Sequence, residues 1–345
     1  MNSLKDIARS LRISQSTVSR ALSGAEGVSR EMRAKIIELA RSSGYSPDSA
    51  ASSLRTRKAH GAVMIVPRTR SGIATMRDEA LLVKARERFG SVRVMTLGDD
   101  EDFSSTIAQA AAVKPAAIIS SGAGCVSQEL AAMMLDRKIP LLAIDSPGSF
   151  SDRIDIDRAT GTCQMVRLML LEGSKNPLFI CGHGTAPDNP DGRLQGIIKG
   201  YESLGAKLDP ARCPQMEPMK NLSEAGYVAA EAALRSGYAD AIFCFSDICA
   251  IGVMRALLKG GVRIPEDVKI VGFDDMPFAA YLPIALTTVA QPVDEAVSAV
   301  LSMIERRQSD FSAPVMAETL KSSLIIRESA PVSSHVVRKE VFKEL

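Results

Sequence analysis

I-S-Q-S-T-V-S-R-A-L, residues 13–22, decides how the front of this chain is read. Taken as a helix opened by Ser14, it turns Val18 and Leu22 to one apolar face and Gln15, Ser16, Ser19 and Arg20 outward. That outward face carries DNA chemistry. Gln can pair with the N6/N7 edge of adenine, Arg with the O6/N7 edge of guanine, and short hydroxyls with phosphates or bases.

Working outward, Leu4, Ile7, Ala8 and Leu11 follow helical spacing, and Arg12 and Ile13 make a tight connection into the second helix. Gly24 and Gly27 mark a loop. Ser29 then caps a third helix with Met32, Ile36, Leu39 and Ala40 as its inner stripe, ended by Gly44 and Pro47. Three short helices with a helix-turn-helix in front form a DNA-binding head, the second helix being the reader. Taken alone, the segment also fits a helical cap whose Gln15 and Arg20 are only solvated.

The charge supports the first reading. Residues 1–60 hold eleven Lys/Arg against five Asp/Glu, +6, so the remainder carries −4 of the overall +2. A basic head on a mildly acidic body suits a polyanionic partner. Next comes S-P-D-S-A-A-S-S-L-R-T-R-K, residues 46–58. Ser46 and Pro47 could start a helix through Leu54, too short to be stable alone. Arg55, Arg57 and Lys58 can gather phosphates, and Leu54 suits a wedge between base steps, unless the segment is a plain linker.

L-K-D-I-A-R-S-L-R-I-S-Q-S-T-V-S-R-A-L-S, V-S-R-E-M-R-A-K-I, G-Y-S-P-D and S-L-R-T together resemble the head and hinge of the LacI/GalR (lactose-repressor-like) family of bacterial transcription regulators. The resemblance resurfaces in R-L-Q-G (193–196), D-A-I-F-C-F-S-D-I-C-A-I-G-V-M-R-A-L (240–257), I-P-E-D-V-K-I-V-G-F-D-D-M-P (264–277) and L-T-T-V-A-Q-P-V (286–293). It implies base reading by Gln15, Ser16 and Arg20, backbone contacts by Ser14, Thr17 and Ser19, and a minor-groove lever at Leu54, beside Arg55. Three positions depart from the family's pattern. Arg12 stands where the turn usually has Gly, Asp48 where the hinge usually has Asn, and Ser52 where it often has Arg.

From Ala62 the pattern changes to apolar runs at 62–66, 92–97, 116–120, 140–144, 178–181, 241–245 and 269–273, separated by helices of crossover length. Such runs read as parallel strands covered on both faces, and seven are too many for one small sheet. The expected fold is therefore an all-α helix-turn-helix head (1–45) and a hinge helix with linker (46–60), followed by an α/β body (61–330) of two doubly wound parallel-sheet subdomains. The family resemblance implies a periplasmic-binding-protein-like body. Its first subdomain spans about 62–157 plus 291–318 and its second about 158–290 plus 319–328, with a C-terminal tail at 331–345.

In open parallel sheets, ligands bind beyond the carboxyl ends of the strands. Asp145, Ser246, Asp247, Asp274 and Asp275 stand there, as ligand acceptors or as caps of the following turns. The family resemblance directs Asp145, Arg193, Ser246, Asp274 and Gln291 toward the cleft. Arg68 and Arg70 follow the first strand where relatives often have aromatics, and Arg158 stands where relatives usually have Asn. Bidentate contacts from some of Arg68, Arg70, Arg158 and Arg193 would favour an anionic sugar-type effector, unless Arg68 and Arg70 are merely solvated.

Several function classes are excluded. S-S-G-A-G-C (120–125) and C-G-H-G-T (181–185) complete neither a phosphate loop nor a dinucleotide fingerprint, and no residues read as catalytic. Six scattered cysteines and three histidines suggest reduced thiols, with no metal and no cofactor. No apolar run spans a membrane and no signal-peptide core opens the chain, which points to the cytoplasm. The expectation is a repressor-type regulator that binds a double-stranded, pseudo-palindromic operator as a homodimer and answers to a small carbohydrate-type effector. A regulator of the same fold controlled by a protein partner is the alternative, with an enzyme or transport-type binding protein more remote.

Overall fold

The structure, a computed structural model, describes residues 4–22, 26–43, 61–68, 72–98, 100–146, 148–182, 191–216, 221–236, 239–333 and 335–342. The segment 46–58 with Leu54 and Arg55, and Arg70 after the first strand, lie outside the described residues. Contacts divide the chain into Met1–His60 and Gly61–Leu345.

In the first unit, helices α1 (Leu4–Ser10), α2 (Gln15–Leu22) and α3 (Arg30–Ser42) surround a core of Ile7, Ala8, Val18, Ala21, Ile36 and Ala40. Leu11, Leu22, Met32 and Leu39 pack around it, half-buried. The caps form as expected: Ser14 Oγ accepts from Thr17 N at 3.1 Å and Ser29 Oγ from Met32 N at 3.3 Å. Arg12, in the turn between α1 and α2, adopts φ 54°. Left-handed backbone costs a residue with a Cβ ~1–2 kcal/mol, which is why glycine suits this turn.

In the second unit, helices alternate with strands because short polar residues cap the helices just after the apolar runs stop. Asp102, Ser127, Asp157, Asp191 and Ser246 each accept backbone N–H bonds at a helix start. The strands are β1 (Ala62–Pro67), β2 (Val92–Leu97), β3 (Ala117–Ser121), β4 (Leu141–Ile144), β5 (Asp152–Asp157), β6 (Pro177–Ile180), β7 (Ala241–Cys244), β8 (Lys269–Asp274), β9 (Thr287–Ala290), β10 (Ala317–Lys321) and β11 (Ser323–Ile325). The helices are α4 (Ile73–Phe89), α5 (Phe103–Ala112), α6 (Gln128–Asp136), α7 (Arg158–Leu171), α8 (Gly192–Ser203), α9 (Leu222–Ser236), α10 (Asp247–Lys259), α11 (Val293–Ser309) and α12 (His335–Val341).

Two sheets result. One has the order β10-β5-β4-β3-β1-β2, all parallel, and the other β11-β9-β8-β7-β6, parallel except for β11. Each is covered on both faces. Val63, Ile65 and Ile118 pack with α5 and α6, while Met64, Ile119 and Leu142 pack with α4 and α11. In the second sheet Phe179, Phe243 and Phe273 face α7 and α8, and Ile180, Ile242 and Ile270 face α9 and α10.

The chain crosses between the sheets three times: from β5 into α7, from β9 into α11, and at Ser322 between β10 and β11. The third crossing falls later than expected from sequence. β10 pairs with β5 through Lys321↔Asp157, so residues 319–321 belong to the first sheet. Ser322 binds two crossings together, its N and Oγ both donating to Asp157 O (2.9 and 2.8 Å) while its Oγ accepts from Gly161 N (3.2 Å).

The C-terminal segment, read from sequence as a tail, also packs. Arg167 on α7 donates to the carbonyl of Glu340, and Val341 is fully buried against the α7/α8 core.

The loop leaving α11 is pinned by a buried ion pair. Arg307 gives Asp152 two bonds, 2.8 and 2.7 Å, and donates to the carbonyls of Ala313 and Pro314, while Asp152 accepts from Met316 N. Both side chains are at most 4% exposed. Asp152→Ala should therefore cost ~3–5 kcal/mol, because a buried guanidinium loses its counter-charge, whereas replacing both partners by Leu and Met should cost much less. Denaturant unfolding of the single and double variants checks the difference.

Candidate functional site

Helix α2 of the head presents a hydroxyl-rich outer surface. Gln15, Ser16 and Arg20 are exposed, and Thr17 and Ser19 half-buried. Ser14 Oγ lies 2.6 Å from Ser16 Oγ and 2.8 Å from Thr17 Oγ1, so the three hydroxyls are ordered together at the N-terminus of α2. That end carries the positive pole of the helix, which suits phosphate oxygens. Gln15 and Arg20 are then the side chains able to read base edges.

In the body, polar residues converge where strands of both sheets end. Asp145 follows β4, Asp274 closes β8, Gln291 follows β9, Arg158 opens α7 and Arg193 stands in the first turn of α8. Asp145 and Asp274 hold positive φ, 56° and 118°, as does Asp275 at 56°. Positive φ costs a residue with a Cβ, and aspartate is among the side chains that tolerate it best.

Arg158 grips Asp145 with two bonds, Nη1 to Oδ1 at 2.8 Å and Nη2 to Oδ2 at 2.6 Å. Burial would raise the Asp145 carboxyl, but the Arg158 bonds and the charges of Arg158, Arg77 and Arg193 overcome it and hold it below the ordinary range. Asp274 Oδ1 accepts from Gln291 Nε2 at 2.7 Å. Burial pushes its carboxyl up to about 6, against the pull of Arg193, Gln291 and Arg158. Arg193 lies over the Phe273 ring, 4.3 Å from its centroid, and pairs with Asp191 at 3.3 Å. The first subdomain closes down on this group at Gly72, the N-cap of α4. A Cβ there would sit 3.6 Å from both Asp274 Oδ2 and Ile248 Cδ1.

Two expected contacts are placed differently. Arg68 is not brought into the group: its guanidinium is exposed and pairs with Glu101 at 3.4 Å, and Glu101 is itself anchored by Gly98 N at 2.7 Å. Ser246 caps α10, its Oγ accepting from Cys249 N at 3.2 Å. Asp247, left open between cap and ligand acceptor, is internal. It accepts from Thr288 Oγ1 (2.5 Å) and Met276 N (2.7 Å), and a Cβ at Gly272 would overlap its Oδ1. Asp275 pairs with Arg327 at 2.7 Å.

Arg77 and its neighbours are absent from the sequence reading. Arg77, on α4, is 3% exposed. Its Nη1 lies 3.5 Å from Asp145 Oδ2 and its Nη2 3.5 Å from Ser121 Oγ, which donates to Asp78 Oδ1 at 2.6 Å. The only hint is that R-D-E in α4 places charges where the helix must meet the sheet.

Among the described residues no cluster of His, Cys, Asp and Glu is arranged to hold a metal, and no helix is long and apolar enough to cross a membrane. None of the six cysteines is bridged, and five are buried.

Residues 3–48 match the family of bacterial regulatory proteins called lacI, and residues 166–330 match the periplasmic binding protein-like domain. The chain belongs to the LacI family. A LacI-family protein is a DNA-binding transcription regulator, and this one has the helix-turn-helix head and periplasmic-binding-protein-like body of that group. It is 26% identical over 337 residues to the ribose operon repressor of Haemophilus influenzae, covering 95% of this chain and 98% of that one. Among solved structures it resembles the Lac repressor dimer bound to operator and an anti-inducer, with TM-score 0.74, 19% identity, and coverage of 95% of this chain and 99% of that one. A LacI family regulator from Enterococcus faecium with bound ribose aligns with TM-score 0.63, 19% identity, and coverage of 79% and 100%.

Arg20→Ala should cost ~1–3 kcal/mol per half-site and relax preference at one base position. Binding to a set of single-base operator variants checks it, and uniform weakening across the set would make Arg20 a phosphate contact. The body should also respond to pH. Burial raises Asp247 to about 7 despite its Thr288 and Met276 bonds, and Asp274 to about 6. The folded state then keeps protons that the unfolded chain releases near its ordinary carboxyl value. Their contribution to stability is complete below about pH 4 and is lost as pH rises through 6 and 7. Denaturant midpoints should fall from pH 5 to 8, and Asp247→Asn should flatten that slope.

Proposed function

We propose that this regulator is a repressor that binds a pseudo-palindromic operator as a homodimer and is controlled by a small, hydroxylated, carbohydrate-type effector held in the crevice between its two sheets. One observation carries the reading. Asp145, Arg158, Arg193, Asp274 and Gln291 converge on that crevice with Phe273 behind them. Carboxylates accept from ligand hydroxyls, guanidinium and amide groups donate to ligand oxygens, and the ring gives Arg193 an apolar back wall.

The ribose operon repressor and the ribose-bound regulator among its relatives support a sugar as the effector's class. An eight-residue reader helix touches few base pairs, which supports two heads acting together. Control would be coupling: the effector binds one arrangement of the two subdomains better than another, and segment 46–60 passes that preference to the heads. The protein would act in the cytoplasm and catalyse nothing itself.

The test is selection of bound sequences from random duplex DNA by the full-length protein, with and without sugars and their derivatives. Recovery of a two-fold symmetric site whose binding responds to a compound supports the reading. A symmetric site indifferent to every compound, with no compound altering thermal unfolding, would sink the effector half. Asp274→Ala should weaken binding of the active compound by ~1.5–3 kcal/mol, since a charged acceptor is lost, and should abolish the ratio between operator affinities with and without it.

A further inference from the structure

The groups around Asp145 carry more hydrogen-bond donors than they use. Arg158 gives Asp145 two short bonds, 2.8 and 2.6 Å. Arg77 is held less closely. Its contacts to Asp145 and Ser121 are both 3.5 Å, and its Nε is buried with no partner among the described residues. Among the described residues Arg193 likewise has a buried Nε without a partner, and its hydrogen bond there is to Asp191, 3.3 Å from Nη1. Buried guanidinium N–H groups left unpaired are costly, and ligand oxygens would relieve that cost.

The Arg158–Asp145 pair also restricts what can enter. A neutral polyol that displaces Arg158 from Asp145 leaves a half-buried guanidinium without an opposite charge, although Asp145 keeps Arg77 beside it. An acidic group on the ligand changes this. It can replace the Asp145 carboxylate on Arg158 in the same bidentate geometry. Asp145, once released, still has Arg77 beside it, with donors in reserve.

We propose that the effector of this regulator carries an acidic group, carboxylate or phosphate, which takes Arg158 from Asp145, and that Arg77 takes up Asp145 as it is released. This rests on the crevice being the effector site. Asp274 and Gln291 then face the hydroxylated part of the ligand, and Arg193 adds a second positive charge near the acid. The exchange conserves pairing: Arg158 and Asp145 each have an opposite partner before and after. Arg77 is a positioning residue in this scheme, acting through Asp145.

The experiment compares matched compounds on the full chain: glucose, galactose and ribose, each with its aldonate, its terminal phosphate and, for the hexoses, its uronate. Thermal unfolding and operator affinity are both read. The expected result is that an acid shifts both while its neutral parent binds about tenfold or more weakly. Arg158→Asn should shrink that ratio, Arg158→Lys should retain some of it, and Arg77→Met should weaken the acid more than any neutral compound. Response to carboxylates alone or to phosphates alone identifies the acid, and either supports the proposal. A neutral sugar that binds as tightly as its acids, with a ratio indifferent to Arg158→Asn, overturns the proposal and leaves the effector crevice standing. Failure of every compound in both readouts overturns the effector crevice and this proposal together.

Discussion

Three passages of one chain between two sheets set the terms for everything else in the body, and Ser322 ties two of them through Asp157 and Gly161. Because the passages lie side by side, the subdomains can rotate about them only by repacking a buried seam. Asp157 caps α7, whose first residue is Arg158, so the seam also fixes the guanidinium that meets Asp145 from across the crevice. Position of the site and permitted motion of the body thus share the same few residues. A ligand that changes the Arg158–Asp145 contact acts close to the axis, where small displacements are magnified at the far ends of the subdomains.

The head depends on a different constraint. Its six-residue core is small, and its stability leans on caps and tight turns. Arg12 holds a left-handed turn that would suit glycine, and it is exposed there. The energetic cost is borne where the chain must reverse to present α2.

Most of the architecture was legible in the sequence, for a physical reason. Strands buried on both faces must be continuous apolar runs, and the seven runs correspond to β1–β4 and β6–β8 with boundaries shifted by one residue at most. β5, β9, β10 and β11 were not legible. D-R-I-D-I-D alternates because its aspartates serve the Arg307 pair, the Arg153 pair and the α7 cap, and β10 and β11 are short strands at sheet edges. At the site, Asp145, Asp274, Arg193 and Gln291 were reachable from strand ends and family resemblance. Arg68 was not assignable, because its partner Glu101 lies 33 residues away. Arg77 was hidden because nothing in a charged helical stretch tells which residue will be driven under a sheet.

The interleaving of the two subdomains has a consequence for how the molecule comes into being. The first sheet needs β10, and one of its covering helices is α11, yet both are encoded after the whole of the second sheet's parallel strands. On the ribosome, the half begun first is thus completed only after most of the other half has emerged. β5 must wait with an unpaired edge, and Asp152 without its arginine, across roughly a hundred and fifty residues of synthesis. No single cut in the chain would therefore yield either half as an independent folding unit.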